Sequence, residues 1–392
     1  MLTIVGAGTG EITRSAREAI RESDIIFAHE RFRDLVPKNK NFVLLKDFDS
    51  VFDMIESEPG NKLILVSGDP GLYSLLSLVK KRFSDFRVIP GISSLQAICA
   101  YACESWQDAK ILSGHGRELK LYKFLNTLER NRINILLCDE VISPEWVCEN
   151  LAYFDDIDIF IGERLGTPDE KFYSGTSLEL YERENKYKSP AIVLIRNNKP
   201  YNPLNNRPSD KNFLRKPEVH MTNENIRAII LDKLAINNYS VLWDIGAGSG
   251  SISVSAAHEF PFSEIHAIEY KNDAANLIYE NAKKFHVHNV EVHKGRALNI
   301  IKTLSSPSHI FIGGHDGELT GILEYISRMH HTFRLVIECV TLETLCTAFD
   351  FMKKCRNFEA LQVMINTSKS VADSLTLMKA HSPVNILSAD IN

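Results

Sequence analysis

The sequence predicts an α/β fold built as two unlike halves that meet near residue 200. Three observations predict it. Short apolar runs alternate with helix-length segments along most of the chain, the pattern of strand-helix-strand units with largely parallel sheets. Two glycine-rich turns each follow such a run directly: "LTIVGAGTGE" at residues 2–11 and "VLWDIGAGSGS" at 241–251. Between them, "RNNKPYNPLNNRPSDKNFLR" at 196–215 is rich in proline and asparagine, lacks periodicity and reads as a linker.

A chain of 392 residues is too long for one ordinary core, which agrees with two domains. The hydrophobic share of 44% and charged share of 24% are those of a globular protein. A net charge of -5 without a basic excess in either half argues against nucleic acid as a partner. The seven cysteines form no C-x-x-C pair and have no histidines at zinc-finger spacing. They are expected to be reduced thiols packed in cores, and no metal site is expected. With no leader-like start and no apolar run near the roughly 18 residues of a membrane span, the expectation is a cytoplasmic protein with no membrane partner.

In the first half, residues 1–200, the strand-like runs are "LTIVG", "DIIFA", "NFVLL", "KLILVSG", "FRVIPG", "INILL", "DIDIFIGE" and "AIVLIR". Residues 201–214 are the linker and 215–392 the second half. There "MTNENIRAIILDKL" predicts a helix with Thr222 as N-cap and Glu224 in its first turn. Ile226, Ile229, Ile230 and Leu234 fall on one face of it. Then come "VLWDI", a helix from about Ser251, "IHAIE", a helix from about Asp273, and "NVEVH", "HIFIG" and "RLVIE" with further helices. "ALQVMI" and "SLTLMKA" close the series and are expected to pair antiparallel with each other. Trp106 and Trp243 are expected in the core.

In "DIGAGSG", Gly246, Gly248 and Gly250 allow a tight turn and close approach of a ligand at a helix N-terminus. Asp244, at the strand end, can accept from an ammonium group or order the turn. Glu269 ends the next strand about twenty residues on, where an acidic side chain takes ribose hydroxyls. An amino-acid end and an unphosphorylated ribose together point to S-adenosylmethionine. The region resembles the class I methyltransferases, and within them the decarboxylating precorrin methyltransferases of cobalamin biosynthesis, through "MTNENIRA", "DIGAGSGSISVSAA", "IFIGGHDGEL" and "VTLETL". That resemblance implies a Rossmann-like class I fold, with Thr222, Arg296 and Ala297 also at the cofactor. Adenine is then held by backbone groups, because Arg296 stands where many class I enzymes have an acid.

The first turn carries Gly6, Gly8 and Gly10. "VSGDPGLYS", "VIPGISSLQA", "WQDAKILSGHGR" and "IGERLGTPDE" resemble the tetrapyrrole methylase family. The resemblance implies two α/β subdomains with S-adenosylmethionine between them, held by the turn of Gly6, Gly8 and Gly10, by Gly68, Asp69 and Pro70 and by Gly91, Ser93 and Ser94. The two resemblances together imply one donor per half, and methylation of a precorrin at carbons 5 and 15 with loss of a ring C acetate carboxylate. Relatives of both halves form homo-oligomers, so the chain is expected to do the same.

A polycarboxylate substrate calls for cations near each pocket. The candidates are Arg117, Arg164, His220 and Arg227 for binding, with His115 and His315 on the substrate side of catalysis. Two competing readings keep the same folds: a second half that methylates RNA or protein, and a non-catalytic scaffold that only binds S-adenosylmethionine.

Overall fold

The computed structural model describes residues 1–8, 12–114, 118–183, 186–372 and 375–392. It divides into two compact units, Met1–Lys120 with Thr127–Pro200, and Leu121–Asn126 with Tyr201–Asn392. The stretch expected as a linker is counted with the second unit. Phe213 is buried in that unit's core, and Asp210 and the Pro208 carbonyl hold Arg227.

The first sheet of the first unit holds β1 (Leu2–Gly6), β2 (Ile25–Ala28), β3 (Asn41–Leu44), β4 (Lys62–Val66) and β5 (Phe86–Ile89). All pairings are parallel, in the order β3-β2-β4-β1-β5. Parallel strands covered on both faces need apolar residues in succession rather than alternation. Leu2, Ile4, Phe27 and Ile64 fill one side, and Val5, Ile26, Leu63 and Leu65 the other. Because β1 lies between β4 and β5, the three loops that follow these strands emerge side by side.

The second sheet holds β6 (Lys110–Ser113), β7 (Ile133–Leu137), β8 (Ile157–Glu163), β9 (Lys171–Gly175) and β10 (Ala191–Asn197), in the order β6-β7-β10-β8-β9. Only β6 and β7 pair in parallel, so this sheet departs from the largely parallel expectation. The sequence runs missed β6 and β9, which are edge strands of four and five residues with little buried surface. Edge strands need less apolar sequence, which weakens their signal.

The second unit is built on β11 (Val241–Ile245), β12 (Glu264–Glu269), β13 (Val290–Lys294), β14 (His309–Ile312), β15 (Phe333–Cys339), β16 (Arg356–Val363), β17 (Asn366–Ala372), β18 (Leu375–Ala380) and β19 (Val384–Ile391). Its large sheet runs β13-β12-β11-β14-β15-β19-β16, with the first five strands parallel. The expected pairing of "ALQVMI" with "SLTLMKA" is corrected. The former lies in β16 and pairs with β19, whereas the latter lies in β18 and pairs with β17. "VNILSADI" at β19 was not read as a strand. It nevertheless buries Ile386, Leu387 and Ala389, because both its neighbours are strands of the sheet.

Trp243, Ile245, Ile310 and Ile312 face one side of this sheet, and Leu242, Phe311 and Val336 the other. The helix Glu224–Leu234 buries Ile226, Ile230 and Leu234 against the second side. Its N-cap is Asn223 rather than Thr222. Trp243 is buried as expected, but Trp106 is 51% exposed. Four cysteines are buried, Cys355 is partly so, and Cys103 and Cys346 are exposed. Among the described residues, no helix is long and apolar enough to cross a membrane.

Candidate functional site

In the second unit the chain builds outward in both directions from β11, so the point where strand order reverses lies between β11 and β14. Open α/β sheets bind ligands at this point, beyond the carboxyl ends of the strands. A pocket of about 290 Å³ opens there, lined by Gly246, Gly248, Glu269, Gly295, Arg296, Ala297, Gly314 and His315 among others.

The glycines of the turn are required by geometry. Gly246, Gly248 and Gly250 have φ of +73°, +57° and +76°, the left-handed region where a side chain is strained. A Cβ on Gly246 would stand 2.3 Å from the Gly314 carbonyl oxygen, and one on Gly248 would stand 2.7 Å from that of His220. Glu269 is buried at the pocket wall. One of its carboxylate oxygens accepts from the Gly248 N–H at 2.9 Å, and the other from the Lys271 N–H at 2.9 Å. An ionised carboxylate has about four acceptor positions, so each oxygen keeps capacity for a hydroxyl donor.

Asp244 has a different task. It is fully buried, and its Oδ2 accepts from both the backbone N–H and the hydroxyl of Ser253, in the first turn of the helix Ser251–Glu259. Of the two roles expected for it, ordering the turn is the one seen. Its Oδ1 is buried and has no partner among the described residues. It borders a small void of about 10 Å³ shared with His220 and Thr222. Burial pushes the Asp244 carboxyl up to about 6, against the Ser253 hydrogen bonds and aided by the Glu269 charge.

Glu338, near the end of β15, was missed by the sequence reading. It is buried and accepts from the Thr222 hydroxyl at 3.2 Å. Burial pushes it up to about 7, opposed by that bond and aided by the Asp244 charge. Thr222 therefore anchors the segment before the first helix to the sheet rather than capping that helix. An available signal was the acid closing "RLVIE", which repeats the form of "IHAIE".

His315 stands at the pocket after β14. Its Nε2 is 3.0 Å from the Thr344 hydroxyl, and its Nδ1 accepts from the Gly317 N–H at 3.3 Å. Burial lowers its basicity, so the ring is neutral at neutral pH. Arg296 is at the rim, 3.1 Å from Asp316. His220 lines the pocket and its carbonyl accepts from the Ser249 N–H. Arg227, expected at the substrate, is instead buried and committed to Asp210 and to the Thr222 and Pro208 carbonyls. It ties the preceding segment to the helix, leaving no free face for a substrate carboxylate.

In the first unit a pocket of about 270 Å³ is lined by Gly68, Asp69, Ser93 and Ser94, by Leu137, Gly162 and Ile192 from the second sheet, and by Arg31. Gly6, Gly8 and Gly91 are outside this lining and pack against Gly68. A Cβ on Gly6 would lie 2.3 Å from the Gly68 oxygen, and one on Gly91 would lie 2.5 Å from the same atom. Gly8, at φ +64°, bridges to Gly68. Asp69 accepts from the Gly71 N–H at 2.7 Å, and buried Pro70 follows it. Ser93 caps the helix Ser94–Tyr101 in a reciprocal box with Gln96. Arg164 is outside this lining, 3.6 Å from Asp169. Gly10, His115 and Arg117 lie outside the described residues. Arg31 was missed, since nothing in "HERFRD" distinguishes it from a surface cation.

Two family models tile the chain: "Tetrapyrrole (Corrin/Porphyrin) Methylases" over residues 1–181 and "Precorrin methyltransferase domain" over 215–389. A Salmonella typhimurium cobalt-precorrin-6B C(15)-methyltransferase (decarboxylating) is 36% identical over 140 residues, covering 36% of this chain and 72% of that protein. The chain belongs to the precorrin methyltransferases. A Sinorhizobium precorrin-6Y C(5,15)-methyltransferase [decarboxylating] aligns along nearly the whole length, 25% identical over 361 residues, covering 89% of this chain and 87% of that one. A crystal structure of a precorrin-6Y C5,15-methyltransferase from Geobacter metallireducens is 30% identical, with a TM-score of 0.44, covering 47% of this chain and 97% of that one.

A precorrin methyltransferase takes its methyl group from S-adenosylmethionine, and the second-unit pocket fits that donor on three counts. Gly246 and Gly248 present bare main chain in its lining, Glu269 has spare acceptor capacity at the wall, and Asp244 keeps an unpartnered buried oxygen beside it.

Proposed function

We propose that this precorrin methyltransferase is bifunctional, with residues 1–200 methylating carbon 5 of a precorrin and residues 215–392 methylating carbon 15 and decarboxylating the ring C acetate. Each half takes its own S-adenosylmethionine. The observation that carries this reading is the tiling: two unlike methyltransferase families occupy the two halves, and a decarboxylating C(5,15) enzyme aligns across both. The reading extends to a cytoplasmic homo-oligomer, which light scattering on the purified chain would test by mass.

The donor supplies an already activated methyl group when bound. The chain's share is therefore positioning and desolvation more than acid-base chemistry. In the second half Glu269 would accept from the ribose hydroxyls, while the glycine turn lets the backbone approach the donor closely. His315, neutral and fixed by Thr344 and Gly317, is the residue on the substrate side. His220 and the Arg296–Asp316 pair at the rim are the groups that would meet substrate carboxylates. The substrate provides its own nucleophilic carbon. On decarboxylation the pair of the broken C–C bond passes into its conjugated ring system, so no further electron sink is required. In the first half Gly68, Asp69, Ser93 and Ser94 would hold the donor by main-chain groups, with Arg31 and Arg164 as the nearby cations.

Calorimetry tests the stoichiometry. Two donor sites per chain are expected, and a single site would reject the two-donor reading. Incubation with a reduced precorrin, followed by mass, is expected to show two methyl gains and loss of one carbon dioxide. An unchanged mass with both donor sites filled would reject the substrate.

A further inference from the structure

Away from the donor pocket, β12 and β13 each carry the same triplet pattern, Glu264-Ile265-His266 and Glu291-Val292-His293. The strands are parallel with His266 opposite Glu291, and side chains two apart share a face. His266, Glu291 and His293 are thereby brought together, their ligand atoms all within 4.8 Å of one another. No other group of three or more His, Cys, Asp and Glu side chains among the described residues meets this condition.

The geometry points to a site for a divalent transition metal of the zinc class, with His266 Nδ1, His293 Nε2 and one Glu291 oxygen as ligands and an open fourth position. The two ring nitrogens are 2.9 Å apart, Glu291 Oε2 lies 3.5 Å from His266 Nδ1, and Glu291 Oε1 lies 3.7 Å from His293 Nε2. Ligand atoms of a tetrahedral zinc with bonds near 2.0–2.1 Å stand roughly 3.3 Å apart, so these separations bracket the required value.

The decisive feature is on the other side of His266. Its Nε2 lies 3.2 Å from Glu264 Oε1 and 3.3 Å from the Ser305 hydroxyl. A carboxylate there fixes the ring proton on Nε2 and leaves Nδ1 as a lone pair aimed into the cluster. That is how outer carboxylates orient metal-binding histidines. His266 is buried, whereas Glu291 is 67% exposed, so an ion can enter from solvent and keep a water as fourth ligand. Such an ion would clip the edge strand β13 to β12. Two residues beyond His293 the chain reaches Gly295, Arg296 and Ala297 in the donor-pocket wall.

The test uses the untagged full chain, stripped by a chelator and titrated with Co²⁺. A saturable single equivalent with the visible bands of four-coordinate cobalt, displaced by Zn²⁺, is expected. Glu291→Ala, at an exposed position, should weaken binding at least about tenfold, Glu264→Gln by about tenfold, and His293→Ala should abolish the bands. The metal-free variants should keep the circular dichroism of the parent. A thiolate-to-cobalt band would assign the ion to a cysteine instead and overturn the proposal. So would bands that persist in both His293→Ala and Glu291→Ala, or the absence of saturable binding.

Discussion

The two glycine turns look alike in sequence and differ in what stands behind them. In the first unit, Gly6, Gly68 and Gly91 close three neighbouring strand ends; Gly6 and Gly91 press on the Gly68 carbonyl with no room for a Cβ, and Gly68 itself is left-handed at φ +63°. In the second, all three glycines of the turn are left-handed, and the turn is tied to buried acids: Glu269 on its Gly248 N–H, Asp244 on the helix that follows. Glu338 lies behind them on Thr222. Both cradles thus pack main chain on main chain, and only the second adds buried acids that hold the bend. The first cradle should respond to added bulk, the second to bulk and to charge.

The largest expected effect is from Gly246→Ala. A positive φ that strains any side chain by about 1–3 kcal/mol is combined with a clash against the Gly314 carbonyl. Calorimetry should lose the second-half donor site while the first remains. If both sites survive, the packing assigned to this turn is wrong. Gly91→Ala should do the reverse, removing the first site alone.

Next is Glu269→Gln, which keeps the shape but replaces the anion. Donor affinity in the second half should drop by about 10- to 100-fold, the worth of hydrogen bonds to a charged acceptor, with the first half unmoved. Equal losses in both halves would contradict the assignment of the acid to one pocket.

A charge effect on stability should be confined to the second unit. Glu338 is raised to about 7 from an ordinary 4.5, so its contribution is complete below about 4.5 and is lost as pH rises through about 7. Asp244, raised to about 6, behaves alike at lower pH. The Tm of the parent should therefore fall between about pH 4.5 and 7, and that of Glu338→Gln should fall less, since the amide keeps the Thr222 bond without a charge. Parallel melting curves across this range would refute the buried-acid account.

The smallest effect is expected from Asp69→Ala. It removes one turn bond to the Gly71 N–H, worth about 1 kcal/mol, and should weaken the first-half donor site by no more than roughly tenfold. Loss of that site altogether would mean that Asp69 contacts the donor directly.

Much of this was legible in the chain. β1, β2, β4, β11, β14 and β15 announce themselves as largely apolar runs, because both of their faces are covered, whereas β12 and β13 interleave charged and apolar residues. The glycine turns and Glu269 are local patterns. β6, β9 and β19 were not legible, since edge placement or partners distant in sequence decide their pairing. Arg227 could not be told from a substrate cation, because its commitment to Asp210 and two carbonyls depends on how the segment before its helix folds back. Thr222 reads as a cap by position, yet its hydroxyl goes to Glu338, 116 residues away.

The sequence by itself determined two α/β halves, the position of each glycine turn and the family of each half. These follow from short-range periodicity and from spacings within one strand-turn-helix unit, which the backbone converts directly into geometry. Only the tertiary structure decided which charged groups are spent on the fold and which face a pocket. It also decided that Asp244 orders a helix start and that Glu264, His266, Glu291 and His293 share one face. Burial and side-chain partnership depend on strands that meet across long stretches of chain, and a carboxylate's charge depends in turn on that burial.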